Sequence, residues 1–156
     1  SEVAACQENG REPIEFRVGT DAVAVTVSAE NDFVTDVTME ELALIFSTAE
    51  TWQDVREEWP AEAIMRYIPG TDSGTFDYFT EAINGESQLC RADFTASEDD
   101  NVLVQGIAGD KYALGFFGFA YYIENTDKLK VVPPLASFVL VVWILRCSPS
   151  TPVPTD

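Results

Sequence analysis

Histidine is absent from all 156 residues. That removes the commonest general base, the usual partner of a nucleophilic serine and a common transition-metal ligand. Basic side chains are scarce too: nine Lys and Arg stand against 27 Asp and Glu, a net charge of −18. Such a chain is repelled by nucleic acid and by anionic membrane surfaces. Cysteine is limited to Cys6, Cys90 and Cys147, without metal-ligand spacing. The odd count leaves at least one thiol unpaired, and a Cys6–Cys90 disulfide stays open. No stretch spans a bilayer: the longest apolar run, LASFVLVVWIL at 135–145, has eleven residues, too few for the ~20 that a crossing helix needs. No signal peptide is visible, and the chain begins at Ser1 without methionine, as a processed product or a fragment would.

What is present suits one globular domain. Hydrophobic residues make up 46% and aromatics 12%, enough to build a core from this length. Residues 14–28 are valine-rich and read as two strand segments joined by a bend around Gly19 and Asp21. Asn31-Asp32 form a turn. Thr38 caps a helix over MEELALIF, and Glu41 completes a capping box; Leu42, Ile45 and Phe46 form its buried face. Trp52, Trp59 and Pro60 cover that helix as packing. Ala63–Ile68 is a short strand ending at Pro69-Gly70.

The most informative segment follows, GTDSGTFDYFTEAI at 70–83. Ser73 is placed as an N-cap, Gly74 and Thr75 form a first helical turn, and Phe76, Phe79, Ala82 and Ile83 repeat at helical spacing. A helix N-terminus leaves backbone N–H groups without partners and carries roughly half a positive charge. Gly74 permits close approach to that backbone, and two hydroxyls flank it. This arrangement suits an anion, although a capped helix with no ligand has the same spacing. The acidic surface does not forbid it: screening acts over about 8 Å, whereas amides act at hydrogen-bond distance.

Beyond it, 84–95 reads as a loop with a short strand near Leu89–Phe94. Residues 97–100 open a second helix, NVLVQGIA, with Val102, Leu103 and Ile107 inward and Gly109 as C-cap. Ala113–Phe117 is a buried strand, Gly118–Glu124 a short aromatic helix and Leu129–Val132 another strand. The βαβαβ order over 21–132 predicts an α/β fold with a mostly parallel sheet flanked by helices, where ligands collect beyond strand C-termini. Glu98-Asp99-Asp100 lacks the spacing of a calcium loop and complements the helix dipole instead.

These segments resemble a family. GTDSGTFDYFTEAI is similar to the Ser-Gly-Thr turn of the periplasmic phosphate-specific substrate-binding proteins of ABC transporters. The likeness extends to ENDFV (30–34), the helix at 38–46, TWQDV (51–55), RADFTASEDDNVLVQGI (91–107) and ALGFFGFAYYIEN (113–125). It implies one lobe of a type II periplasmic-binding-protein fold, with residues 1–20 as the end of the first lobe and hinge strand and 21–132 as the second lobe. Residues 133–156 form an atypical tail that does not resemble the family's return segment.

By position, Ser73, Gly74 and Thr75 are the phosphate ligands of this lobe. Family members place an arginine four residues before the serine, where this chain has Pro69. Arg91 is the candidate substitute, against an ion pair with Asp93 or Glu98. Arg66 alternates with apolar residues and is expected to face solvent. Asp72 could accept a phosphate proton, though the family's own carboxylate for this lies in the other lobe; a turn role is the alternative. The resemblance implies a monomeric, extracytoplasmic, non-enzymatic carrier that delivers inorganic phosphate to permease subunits, without metal or cofactor. A phosphate-ester hydrolase and a non-binding interaction module are the competing expectations.

Overall fold

The computed structural model describes residues 2–12, 14 and 22–133, which fall into two compact units, 2–14 and 22–133. In the first unit, helix α1 spans Glu2–Glu8. Cys6 is disulfide-bonded and Cys90 is a free thiol, so these two are not joined to each other. The bend expected at Gly19 and Asp21, the 135–145 run and the rest of the tail lie outside the described residues.

The second unit runs β1 (Val23–Ser28), α2 (Met39–Ser47), a 3-10 turn (Trp52–Asp54), β2 (Met65–Pro69), α3 (Gly74–Asn84), β3 (Phe94–Ser97), α4 (Asp100–Ala108), β4 (Ala113–Gly118), α5 (Phe119–Glu124) and β5 (Leu129–Val131). Local chemistry sets the helix starts. The Thr38 hydroxyl accepts from the Glu41 N–H at 3.1 Å, and the Glu41 carboxylate accepts from the Thr38 N–H at 2.7 Å. Gly85 ends α3 at φ 77°, a left-handed position that glycine adopts without strain.

Some details depart from the sequence pattern. On α3, Thr80 is buried and Ala82 is exposed. Burying Thr80 costs little because its hydroxyl donates to the Phe76 carbonyl at 2.9 Å and accepts from the Gln88 N–H at 2.7 Å. On α4, Val104 joins Leu103 and Ile107 inside, while Val102 is exposed. Strand β3 begins at Phe94, later than expected, because Ser87 and Gln88 instead fold back to donate to Asp77 of α3 at 3.1 and 3.0 Å.

The sheet order is β3-β2-β4-β1-β5. Strand β2 is parallel to β3 and to β4, whereas β1 is antiparallel to β4 and to β5. Four strands thus share one direction and β1 alone opposes them. The mostly parallel expectation holds for direction, but the sheet is mixed. A single reversed strand within a parallel sheet is a common arrangement.

Helices cover both faces. On one side, Leu42, Ile45, Phe46, Phe76 and Phe79 meet Ile64, Ile68, Leu114 and Phe116, with the Phe79 and Phe116 rings stacked at 3.7 Å. Trp52 and Trp59 are buried in the same cluster, and the Trp52 indole N–H donates to the Tyr112 carbonyl at 3.0 Å. On the other side, Leu103, Val104 and Ile107 meet Ala113, Phe117 and Leu129. Strand β4 is therefore apolar throughout.

Arg66 corrects the sequence expectation. It is 2% exposed, on the face shared with Ile64 and Ile68. Its guanidinium donates to the Ile45 carbonyl at 2.7 Å, to Ile64 at 3.0 Å, to Ala49, and to the Asp93 carboxylate at 3.3 Å. The last carbonyls of a helix lack internal partners. Arg66 satisfies that of Ile45 in the last turn of α2 and the Ala49 carbonyl just beyond the helix, which is why a cation is tolerated inside.

Two predictions follow from this packing. A Cβ on Gly115 would lie 2.1 Å from the Tyr67 carbonyl oxygen on the paired strand. Gly115→Ala should cost roughly 1–3 kcal/mol by overpacking, read as a lower urea midpoint; an unchanged midpoint would contradict this strand contact. The second concerns pH. Hydrogen bonding from Arg56 holds Glu41 below the ordinary 4.5, and bonding from Arg91 holds Asp93 below 3.8. Lowered folded-state values mean this stabilisation is fully present above the ordinary values and is lost as pH falls through the lowered ones. Thermal stability should be level between pH 7 and about 5 and decline below about 4. Glu41→Gln and Asp93→Asn should each make that acid decline shallower, and a parental profile in both would refute the assignment.

Candidate functional site

Strands β2, β3 and β4 share a C-terminal edge, and α3, α4 and α5 begin beyond it. The turn from β2 into α3 is closed by the Ser73 N–H, which donates to the Gly70 carbonyl at 2.9 Å. Ser73 then caps α3 with extended backbone (φ −78°, ψ 131°), and its side-chain oxygen accepts from the Thr75 N–H at 3.2 Å. The first helical bond runs from the Asp77 N–H to the Ser73 carbonyl at 3.1 Å.

Counting donors refines the anion expectation. The Ser73 N–H is engaged within the turn, and the Thr75 N–H is turned to its own cap. Among the described residues the N–H groups of Gly74 and Phe76 find no partner. Phe76 is a donor that the sequence reasoning did not include; its position as the third residue of the helix was the available signal. The hydroxyl protons of Ser73 and Thr75 remain to be donated.

Gly74 is exposed, has no positive φ, and a Cβ there would meet nothing within 4 Å. Neither packing nor backbone strain requires glycine at this position. Asp72 is exposed in the turn, beside Ser73.

Arg91 is not brought to this site. Its guanidinium forms a two-pronged pair with Asp93, at 2.7 and 2.9 Å, and donates to the Thr48 carbonyl at 2.7 Å. Hydrogen bonding to Asp93 raises its pKa. Register supplies the geometric reason. Arg66 pairs with Phe94 and Pro69 with Ser97, so Arg91 precedes the sheet's N-terminal edge while Ser73 lies past the opposite one. The paired stretch from Arg66 to Pro69 alone covers three steps of ~3.3 Å, about 10 Å, and Arg91 and Ser73 lie beyond its opposite ends.

The other basic side chains of this unit are committed elsewhere as well. Arg56 pairs with Asp36 and Glu41, and Lys111 with Asp32. Lys128 and Lys130 donate to the Asn125 side chain and the Asn31 carbonyl. Among the described residues, an anion at the edge where α3 begins would therefore be met by backbone dipoles and hydroxyls rather than by a basic side chain. The neighbouring α4 N-terminus is self-occupied: the Asp99 carboxylate accepts from the N–H and side chain of Asn101, both at 2.9 Å.

Comparison with known proteins places this geometry. Residues 1–141 match the PBP superfamily domain. The chain is 46% identical over 136 residues to protein SphX of Synechococcus elongatus, covering 84% of this chain and 40% of that protein. It is 40% identical over 119 residues to the phosphate-binding protein PstS of Staphylococcus saprophyticus, covering 76% and 36%. A crystal structure of a possible phosphate binding protein from Planctomyces limnophilus superimposes with a TM-score of 0.72 at 45% identity, covering 84% of this chain and 47% of that one. A putative phosphate ABC transporter substrate-binding protein from Clostridium perfringens, at 20% identity and a TM-score of 0.66, shares the fold. The chain spans about two fifths of the length of the curated relatives it matches. On these grounds the chain belongs to the PBP superfamily, and its sheet is one α/β lobe of that fold.

Proposed function

We propose that this chain is the part of a phosphate-binding protein that holds inorganic phosphate at the N-terminus of α3. The carrying observation is Gly74: an exposed glycine, unneeded by packing, standing in front of unpartnered amides in a family whose relatives are named for phosphate. Phosphate would accept from the Gly74 and Phe76 N–H groups and from the Ser73 and Thr75 hydroxyls. Residues 21–132 form the second lobe on this reading, and 1–20 lead in from the first. The whole protein acts outside the cytoplasm as a monomer, releasing unchanged phosphate to the permease of an ABC transporter. Ser73 supports carriage rather than turnover, because its oxygen faces a backbone N–H and the chain has no histidine to deprotonate it.

Magnitude bounds what this lobe does alone. Hydrogen bonds to a charged group contribute roughly 1.5–3 kcal/mol each. Three or four must offset an association cost of about 4 kcal/mol or more, and the open side of the site stays wet. The expected dissociation constant is about millimolar, near −4 kcal/mol.

The test is an amide NMR titration of the 156-residue chain with phosphate. The Gly74, Thr75 and Phe76 resonances should move together, with half-saturation near the millimolar range. Gly74→Val should abolish those shifts while circular dichroism shows unchanged helix content. Resonances that stay still, or a valine variant that responds like the parent, would remove the site from α3.

A further inference from the structure

Among the described residues, Gln88 alone of the non-glycines has a positive φ, 65°. Residues that carry a side chain rarely adopt that conformation, and where they do the surrounding structure enforces it. Here the loop that follows α3 is held by three hydrogen bonds. The Gln88 N–H donates to the buried Thr80 hydroxyl at 2.7 Å. The Gln88 side-chain amide and the Ser87 hydroxyl both donate to one oxygen of the Asp77 carboxylate, at 3.0 and 3.1 Å. A loop leaving the C-terminal end of α3 thus reaches back to its first turn.

Asp77 is the acid of that first turn. It follows Phe76 directly and stands three residues on from Gly74, on the same face of the helix. Side chains on a helix lean toward its N-terminus, and the positive end of the dipole attracts a carboxylate. Two other helical starts in this chain show the usual outcome. The Glu41 carboxylate turns back to the Thr38 N–H, and the Asp54 carboxylate to the Thr51 N–H, each at 2.7 Å. The Asp77 carboxylate is instead tied to the returning loop, and the Gly74 and Phe76 N–H groups stay without a partner among the described residues.

We propose that Ser87 and Gln88 are positioning residues of the α3 anion site. By holding the Asp77 carboxylate aside, they keep the helix's own acid from crowding the N-terminus that phosphate uses. The proposal rests on the α3 reading above and specifies how that site stays open.

The experiment is a double-mutant cycle on the 156-residue chain, titrated with inorganic phosphate and followed at the Gly74 and Phe76 amides. One arm combines Ser87→Ala with Gln88→Gly. Glycine keeps the positive φ and the bond to Thr80, so only the donors to Asp77 are lost and the urea midpoint should not fall. Half-saturation should need about two- to fivefold more phosphate, the scale of one charge beside a helix N-terminus. The other arm is Asp77→Asn. In that background the paired substitutions should leave half-saturation unchanged, because the charge they restrain is gone. An equal weakening in both backgrounds means that the loop acts through the fold and overturns the proposal. A paired variant that binds phosphate like the parent also overturns it. If phosphate does not move the amides of the parent chain, the α3 site itself is wrong and this proposal falls with it.

Discussion

Strand β2 sits between two parallel neighbours, and the approach on one side leaves no room for a side chain at residue 115. Gly115 lies opposite Tyr67 in the β2–β4 ladder, and the Tyr67 carbonyl occupies the place its Cβ would take. The same tyrosine presses on α4, where a Cβ on Gly106 would lie 2.2 Å from its ring. Two glycines therefore let one strand meet both a neighbouring strand and a covering helix at close range. With β3, β2 and β4 aligned in parallel, the helices that follow them all begin at one edge. A site built from helix N-termini depends on that alignment, because antiparallel neighbours would send successive helix starts to opposite ends.

The alignment also sorts charge. Arg66 and Arg91 lie at the start of the parallel strands, where they meet Asp93 and the last carbonyls of α2. Buried Arg66 is tolerable because carbonyl oxygens and one carboxylate surround it, offsetting the desolvation that would otherwise exclude a cation. The cations thus reinforce the edge opposite the start of α3. At the other edge, partial charges on amides act over hydrogen-bond distances, while the net charge of −18 acts through screened solvent. For the anion proposed there, short-range dipoles would decide whether it stays, and the acidic surface would chiefly affect how fast it arrives.

Much of this architecture was legible in the sequence because its signals are local. The Thr38 and Glu41 capping box, the Ser73 cap and the apolar spacing of α2 each occupy a few neighbouring residues, and the structure places them as expected. Misreadings occurred where a distant partner decides. Arg66 alternates with Met65 and Tyr67 and so shares its face with Ile64 and Ile68, but the period of a strand does not say which face is covered. The solvent assignment failed because α2, distant in sequence, supplies the carbonyls that receive the guanidinium. Arg91 failed for a related reason: proximity along the chain to a matching segment says nothing about which end of the sheet it occupies. The swaps of Thr80 for Ala82 and Val104 for Val102 are finer. A threonine can be interior when its hydroxyl bonds the preceding turn, and a valine one position off the stripe points outward.

Gly70 and Gly74 show why composition alone leaves such a site undecided. Both are glycines in one turn, both have ordinary backbone angles, and a sequence offers no way to distinguish them. The structure separates them by what lies in front: a carboxylate at one, open space at the other. If glycine served only to make the turn, a positive φ would be expected at one of them, since that is the conformation only glycine adopts freely. Neither has it. What the two positions share is the absence of a side chain beside the start of α3, where a Cβ would meet open space at Gly74 and the Glu98 carboxylate at Gly70.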